Sequence, residues 1–213
     1  MKKIADIRKE YMLHSFSESL ADVDPFRQFA NWWEDALRSQ VEEVNAFTLA
    51  TASLEGIPTA RVVLLKGYDE NGFVFFTNYE SKKGRTLELN PHASMVFFWK
   101  ELERQIRIQG TVTRLADTEN DEYFFSRPIG SQLGAWASPQ SRIIESREVI
   151  ETNLRSMEEK FAATPITRPP HWGGYRVKPY LIEFWQGRPN RLHDRLQYNL
   201  QPTGHWILER LAP

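Results

Sequence analysis

The spacing of apolar residues changes at Ala46, from the helical repeat to an alternating one. Because side chains of a β-strand point alternately to its two faces, alternation predicts strands. About eight segments show this pattern: 46–53, 59–66, 73–78, 93–99, 104–115, 175–185, 191–198 and 205–211. Most turns between them are short, and Asn71-Gly72 is a hairpin signal. Consecutive strands joined in this way favour an antiparallel barrel or sandwich over βαβ units.

Helical spacing precedes and interrupts these strands. Asp24-Pro25 supplies an N-cap and a first-turn proline to a helix that we predict to run to about Val44. Lys82–Leu89 is predicted as a short helix, because the following Asn90-Pro91 would end it. Residues 1–20 show weak periodicity and are predicted as an N-terminal arm, and residues 21–213 as one domain.

Two further helices are predicted in the second half of the chain. Thr118-Glu-Asn-Asp121 resembles a capping box that opens a helix through Phe125. Ser138-Pro139 is predicted to open a longer helix, followed by a linker at 163–170 that is rich in proline and threonine. The apolar residues of that longer helix share one stripe, predicted to pack into the core: Ile143, Ile150, Leu154, Met157 and Phe161. The predicted fold class is mainly β with flanking helices (α+β).

Composition excludes several classes of function. A net charge of −1 argues against a nucleic-acid or membrane-surface partner, and the absence of cysteine excludes thiolate chemistry and disulfides. The five histidines lack metal-ligand spacing, so we predict no metal site. Glycine-rich phosphate loops are also missing. The N-terminus is charged and no apolar run approaches membrane-spanning length, so a cytoplasmic protein is expected.

The segment 191–195 concentrates the most chemistry. If it is a strand, Arg191, His193 and Arg195 line one face. Two cations flanking an imidazole require a nearby anion. One interpretation is a solvated edge strand, with Asp194 and Glu183 as local partners. The other is an anion-binding or catalytic face.

Further cations and polar groups recur at strand ends. Arg61 and Lys66 flank an apolar strand, and since they are five positions apart, a regular strand would point them to opposite faces. If both serve one site, the strand must bulge or twist, or Lys66 must lie beyond its end. Ser81-Lys-Lys83 precedes a predicted helix, where N–H groups and cations together suit a phosphate. Four more polar residues follow: Gln105, Tyr123, Arg127 and Ser131. Two phosphate-bearing ligands would explain this distribution.

These motifs together resemble the pyridoxine/pyridoxamine 5′-phosphate oxidase family. The signature is Ile182-Glu-Phe-Trp-Gln186, then four residues, then Arg191-Leu-His-Asp-Arg195. Further matching segments are 61–66, 75–78, 81–83, 102–105, 123–128, 131–136, 140–141 and 210–213. The resemblance covers nearly the whole chain in order and spacing. It implies a split antiparallel β-barrel, FMN as cofactor and a homodimer with FMN at its interface.

The resemblance also implies a role for individual residues. FMN contacts are implied for Arg61, Val62, Val63, Leu64, Leu65, Lys66, Phe76, Thr77, Lys82, Lys83, Gln105, Gln140, Ser141, Trp185 and Arg195. The substrate phosphate would be held by Lys66, Tyr123, Arg127 and Ser131. Arg191 and His193 would face the substrate ring as the catalytic pair. The arm residues Arg8, Lys9, Glu10 and Tyr11 would close over the ring as a lid.

The implied reaction is oxidation of pyridoxine or pyridoxamine 5′-phosphate to pyridoxal 5′-phosphate. A hydride would pass from C4′ to FMN N5, and O₂ would accept the electrons and leave as H₂O₂. Two alternatives stay open: a split-barrel FMN reductase with another substrate, and a non-catalytic protein that binds flavin or pyridoxal phosphate.

Two positions depart from the family pattern. Lys82 stands where the family often has arginine, which keeps the charge but loses bidentate geometry towards phosphate. Ile129-Gly130 replaces a more polar pair in what we predict to be a loop before Ser131.

Overall fold

The computed structural model describes residues 3–6 and 9–213. Within them, nine strands form one antiparallel sheet: β1 Ala46–Ala52, β2 Pro58–Leu64, β3 Gly67–Asp69, β4 Gly72–Asn78, β5 His92–Trp99, β6 Arg104–Arg114, β7 Trp172–Gln186, β8 Asp194–Leu200 and β9 Trp206–Arg210. The order is β2-β1-β5-β6-β7-β4-β3, with β8 on β7 and β9 on β8. The sheet curls into a half-barrel, so the predicted antiparallel architecture is confirmed, with one strand more than expected.

Five α-helices flank the sheet in the described part of the chain: α1 Pro25–Arg38, α2 Lys82–Leu89, α3 Asp117–Ser126, α4 Ile129–Ala137 and α5 Arg147–Lys160. Short 3₁₀ turns span Ile4–Asp6 and Pro189–Arg191. None of these helices is long and apolar enough to cross a membrane.

The predicted starts of α1 and α2 are confirmed. The Asp24 side chain accepts a hydrogen bond from Phe26 N, with Pro25 as the first helical residue. α2 has the predicted bounds and begins after Ser81, whose hydroxyl accepts from Gly84 N at 3.2 Å. The prediction that α1 reaches Val44 was wrong. It ends at Arg38, because Gln40 adopts a left-handed φ of 52° that stops the helical repeat.

The predictions for the helices that follow β6 were wrong in detail. The N-cap of α3 is Ala116, whose N–H donates to the Glu119 carboxylate, so the capping residue is Glu119 rather than Asp121. Residues 129–137, expected to begin as a loop, form α4 directly after Pro128. A proline at the start of a helix loses no hydrogen bond, which explains why it opens α4 as well as ending α3.

The predicted core stripe after Ser138 was also wrong. α5 begins only at Arg147 and none of its residues is buried. Ile143 lies before the helix and is fully exposed, and the other four stripe residues are only partly buried. Helical spacing identified one face of α5 correctly, but spacing alone does not show whether that face has a partner within the same chain.

Aromatic side chains fill the interior of the half-barrel. Phe29 of α1 is buried and contacts Phe73 of β4, with ring centroids 4.9 Å apart, and Phe97 of β5 at 5.6 Å. Each such ring contributes about 1.5–3 kcal/mol on burial. This packing fixes α1 across the sheet and leaves the strand ends free to carry polar groups.

Candidate active site

Polar side chains from three elements meet beside the start of α2. The Lys83 ammonium donates to Thr77 Oγ1 at 3.0 Å and to Gln140 Oε1 at 2.9 Å. Thr77 lies in β4 and Gln140 in the segment after α4. The Arg61 guanidinium, on β2, donates to Leu49 O and to the hydroxyls of Thr51 and Thr59. We call Arg61, Thr77, Lys83 and Gln140 the β2–α2 cluster.

The two cations of this cluster repel each other, and the partners they contact in the described part of the chain are neutral. Burial, with a further contribution from the Arg61 charge, lowers the pKa of Lys83 to about 8. Burial also lowers the pKa of Arg61. Arg168 and Arg176, by contrast, each contact two carboxylates. A phosphate dianion is the partner that the Lys83–Arg61 pair lacks, so these residues fit the phosphate end of a flavin nucleotide.

A cavity of about 360 Å³ adjoins this cluster. Lys82, Gln140 and Ser141 line it, so three of the predicted cofactor residues are brought together there. Ser141 adopts a left-handed φ of 69°, which turns the chain sharply after Gln140. The cavity is large enough for part of a nucleotide-sized ligand.

The edge strand β2 presents apolar side chains to the outside. Val62 and Leu64 are exposed, Val63 is partly buried, and Leu65 is buried just after the strand. Lys66 lies beyond the end of β2, and its backbone N–H donates to Val74 O at 2.8 Å. The predicted alternative in which Lys66 lies beyond the end of the strand is therefore confirmed. An exposed apolar edge strand requires a ligand or a partner chain to cover it.

A second polar group lies where α3 meets β4. The rings of Phe76 and Tyr123 stack at 4.0 Å, and the Lys66 ammonium lies 5.8 Å from the Tyr123 ring. All three residues line a cavity of about 370 Å³. The arrangement combines a cation, a phenol hydroxyl and a flat apolar wall.

Arg127 ends α3 and lies over the ring of Trp172, 4.6 Å from its centroid. Among the described residues, its Nη1 is the buried side-chain atom that lacks a hydrogen-bond partner. Burial lowers the pKa of Arg127. Arg127 and Ser131 line one cavity of about 250 Å³. An orphaned buried guanidinium next to a hydroxyl fits an anionic ligand group.

The loop after β7 and the N-terminal arm enclose the largest of these cavities, about 610 Å³. Its lining includes the arm residues Lys9, Glu10 and Tyr11 and the loop residues Arg191 and His193. Arg8, the fourth predicted arm residue, lies outside the described residues.

The prediction that Arg191, His193 and Arg195 share one strand face was wrong. β8 begins only at Asp194, and Arg191 belongs to a 3₁₀ turn with φ 62°. The preceding Asn190 is also left-handed, at φ 57°, so two successive residues break the strand repeat. Arg191 and His193 nevertheless line one cavity because the turn redirects both side chains.

His193 is held as a neutral ring. Its Nδ1 accepts the backbone N–H of Arg188 at 3.1 Å, so the neutral ring carries its proton on Nε2. Burial and then the Arg191 charge lower the pKa of His193. The ring lies 4.5 Å from that of Trp185 and 6.0 Å from that of Tyr11. His193 can therefore act as a hydrogen-bond donor at neutral pH.

Trp185 pairs with Gln105 of β6 on one side and with Arg195 of β8 on the other. The Arg195 guanidinium donates to Glu183 at 2.8 Å, and Arg107 binds the other oxygen of that carboxylate at 2.9 Å. Glu183 is thus the partner of Arg195 that the solvated-strand interpretation expected. Arg191 has no carboxylate in ion-pair range among the described residues, so its charge stays available to a ligand.

The predicted residues therefore form groups at both ends of β7. Phe76 pairs with Gly174 near the start of β7, whereas Trp185 lies near its end. The 11 positions from 174 to 185 correspond to about 35 Å along an extended strand. The β2–α2 cluster and Tyr123 belong to the first end, and Arg191, His193 and the arm belong to the second.

Comparison with known proteins shows the family of this chain. Residues 33–161 match the family model described as pyridoxamine 5′-phosphate oxidase, and residues 172–213 match the pyridoxine 5′-phosphate oxidase C-terminal dimerisation region. The chain belongs to the pyridoxine/pyridoxamine 5′-phosphate oxidase family. It is an oxidoreductase with FMN as cofactor, as predicted. The dimerisation-region match supports a homodimer.

Individual relatives agree with this family. Pyridoxine/pyridoxamine 5′-phosphate oxidases from Cyanothece sp. and Salinibacter ruber are 56% and 55% identical, covering 99% and 100% of this chain and 98% and 100% of theirs. The structure of PhzG from Burkholderia lata, in complex with tetrahydrophenazine-1-carboxylic acid, superposes with a TM-score of 0.84 at 33% identity, covering 90% of this chain and 94% of that one. An FMN-binding oxidase-related protein from Nostoc punctiforme shares the fold, with a TM-score of 0.71 at 18% identity and 90% and 100% coverage. The predicted split-barrel fold is confirmed.

One buried carboxylate at the site, Glu103, was missed by the sequence analysis. It binds the N-terminal arm, whereas Glu183, which joins Arg107 to Arg195, was expected as a local partner of the cations. Glu103 stands inside a segment that carries the resemblance to the pyridoxine/pyridoxamine 5′-phosphate oxidases, so the signal was present. Only its neighbour Gln105 was assigned, because a carboxylate seldom contacts a phosphate-bearing ligand.

Proposed function

We propose that this chain oxidises pyridoxine 5′-phosphate and pyridoxamine 5′-phosphate to pyridoxal 5′-phosphate, with O₂ as acceptor and H₂O₂ as product. For the alcohol, two hydrogens leave the substrate and appear in H₂O₂. The amine also takes up water and releases ammonia. FMN, when bound, supplies the hydride acceptor at N5.

One observation supports this proposal above the others: each predicted phosphate site holds a cation that contacts no carboxylate among the described residues. The described partners of Arg61 and Lys83 are neutral, and Arg127 Nη1 lacks a hydrogen-bond partner there. Two phosphate-bearing ligands, the cofactor and the substrate, account for both. Arg61, Lys82 and Lys83 would hold the flavin phosphate, and Lys66, Tyr123, Arg127 and Ser131 the substrate phosphate.

The remaining residues would orient the substrate ring. Arg191 can lie flat against a π system while it stays charged, and the neutral His193 can donate from Nε2 to a ring substituent. Tyr11 and Lys9 would exclude water from above the ring. Holding two planar rings against each other makes the transfer effectively unimolecular.

We also propose that FMN lies at the interface of the homodimer. The phosphate-binding groups and the Arg191–His193 loop lie at opposite ends of the 15-residue strand β7. A second copy, related by a two-fold axis, would bring its own loop to the first copy's phosphate-binding end. The exposed apolar edge formed by Val62 and Leu64 supports this proposal, because a second copy would cover it. We retain the proposal that the chain consists of an N-terminal arm (1–20) and one domain (21–213).

The decisive experiment measures H₂O₂ and pyridoxal 5′-phosphate after addition of pyridoxine 5′-phosphate to the FMN-loaded protein. Stoichiometric formation of both products is the expected result. A yellow protein that forms neither would contradict the proposal and favour an FMN reductase with another substrate or a non-catalytic binding protein. Unphosphorylated pyridoxine is the matched control, since it lacks the group that Arg127 and Tyr123 would hold.

FMN affinity is expected to fall as the pH rises above about 8. In the free protein the pKa of Lys83 is about 8, whereas a phosphate dianion requires the charged ammonium. Above that pKa, binding must therefore take up a proton, and the affinity falls by up to about tenfold per pH unit. Flavin fluorescence titrations from about pH 7 to about pH 10 would measure this slope.

The control for this slope is Lys83→Arg, which stays charged throughout that range. Its FMN affinity should be nearly independent of pH. An equal slope in both proteins would assign the titration to another group.

A further inference from the structure

The turn between β5 and β6 carries a carboxylate that the proposed reaction does not use. Glu103 is 2% exposed and adopts φ 55°, in the left-handed region. That conformation costs about 1 kcal/mol or more for a residue with a Cβ. A buried charge adds a desolvation cost. Glycine would remove both costs, so the side chain itself is the reason for a glutamate here.

The partners of this carboxylate in the described chain lie in the N-terminal arm. Oε2 accepts the backbone N–H groups of Met12 at 2.8 Å and Leu13 at 3.2 Å, and Oε1 lies 3.1 Å from the Lys9 ammonium. Burial acts to raise the pKa of Glu103, but these hydrogen bonds hold it below its usual value. The carboxylate is therefore ionised, and the docked arm satisfies it.

The backbone of the same residue contacts the end of β7 and the residue that follows it. Glu103 O accepts from Gly187 N at 2.7 Å and from Gln186 Nε2 at 3.2 Å. A Cβ on Gly187 would lie 2.7 Å from Tyr11 Cβ, so the arm needs a glycine beneath it. Glu103 thus joins the arm to the start of the loop that carries Arg191 and His193.

The following part of the arm is fixed separately. Glu18 forms two 2.8 Å contacts with Arg210, and Phe16 N donates to Asp194 at 3.0 Å. Loss of the Glu103 contacts would therefore loosen residues 9–13 and leave residues 16–18 in place. Three of the loosened residues, Lys9, Glu10 and Tyr11, line the cavity together with Arg191 and His193.

We propose that Glu103 is a positioning residue that clamps the arm over the substrate cavity and sets substrate affinity through Lys9 and Tyr11. The inference rests on the proposed function for its kinetic consequence. Its structural part, the clamp itself, is independent of the reaction.

The test uses the full-length, FMN-loaded protein. Glu103→Ala should raise amide hydrogen exchange of the peptide containing Met12 and Leu13, and KM for pyridoxine 5′-phosphate, each by about tenfold or more, because three bonds to a charged group are lost. The FMN dissociation constant and kcat should change less than about twofold, since the freed residues would contact substrate only. Glu103→Gln keeps an acceptor for the N–H groups and should give a smaller increase.

Two further variants control the result. Glu101→Ala removes an exposed carboxylate from the same turn, and should leave exchange and KM unchanged. Among the described residues, that carboxylate pairs with Lys100 alone, at 3.5 Å. Gly187→Ala leaves Glu103 intact but displaces Tyr11, and should raise KM as Glu103→Ala does.

Three results would overturn the clamp: unchanged arm exchange in Glu103→Ala, a KM rise accompanied by an equal loss of FMN affinity, or an unchanged KM in Gly187→Ala. A wild-type protein that does not oxidise pyridoxine 5′-phosphate would contradict the proposed function instead. The exchange measurement would then still decide whether Glu103 holds the arm.

Discussion

Arg191→Ala is expected to lower kcat/KM for pyridoxine 5′-phosphate by at least about a hundredfold, with FMN still bound. Arg191 lines the 610 Å³ cavity, and no described carboxylate neutralises it. Its charge is therefore directed at whatever occupies the cavity. Removing it should also let the pKa of His193 rise towards the ordinary value, because the Arg191 charge contributes to lowering it. Steady-state kinetics measure the loss of kcat/KM, and flavin fluorescence shows whether FMN stays bound.

The backbone at position 191 allows a sharper control. Arg191 has φ 62°, a conformation that glycine adopts without strain. Arg191→Gly should therefore preserve the turn, and even relax it, while it removes the guanidinium. Equal inactivity of the alanine and glycine variants would assign the loss to the side chain. Full turnover in Arg191→Gly would remove its proposed role.

Arg127→Met is expected to raise KM for the phosphorylated substrate by at least about thirtyfold, because about 2 kcal/mol or more is lost when one member of a buried charge pair is removed. The same change should stabilise the ligand-free protein by about 1 kcal/mol. Arg127 Nη1 is buried without a partner, and a methionine of similar length removes that cost while it packs on Trp172. If Arg127→Met makes the ligand-free protein more stable but weakens its affinity for substrate, Arg127 is a binding residue.

Thermal unfolding with and without inorganic phosphate measures both the stability and the phosphate binding of each protein. Phosphate should raise the melting temperature of the wild type more than that of Arg127→Met. Arg155→Met, on the exposed face of α5 next to Thr152, is the matched control and should change neither KM nor the phosphate response. A destabilised Arg127→Met with normal KM would show that Arg127 supports the fold instead.

Local signals in the sequence predicted most of the sheet and two helix starts. Alternation located the strands because each buries one face, and the Asp24 cap and the Asn71-Gly72 turn act within a few residues. The start of α5 and the turn at Arg191 were not predictable in this way. The first depends on packing, and the second on left-handed backbone conformations at Asn190 and Arg191, which are not glycines.

The candidate site required information of longer range. Lys83 meets Gln140 across 57 positions, and Met12 meets Glu103 across 91. No local period predicts such pairs, so the resemblance to a family supplied the residue roles. It supplied ligand contacts but not supporting residues, and Glu103 was missed for that reason.

The length of β7 has a consequence for inheritance. If each active site takes its phosphate-binding end from one copy and its Arg191 loop from the other, a defect at one end of β7 damages only half of each site. Two inactive chains, one altered at Lys83 and the other at Arg191, would then complement each other when co-expressed, because one site of the mixed dimer contains neither change. Alleles altered at the same end of β7 would not.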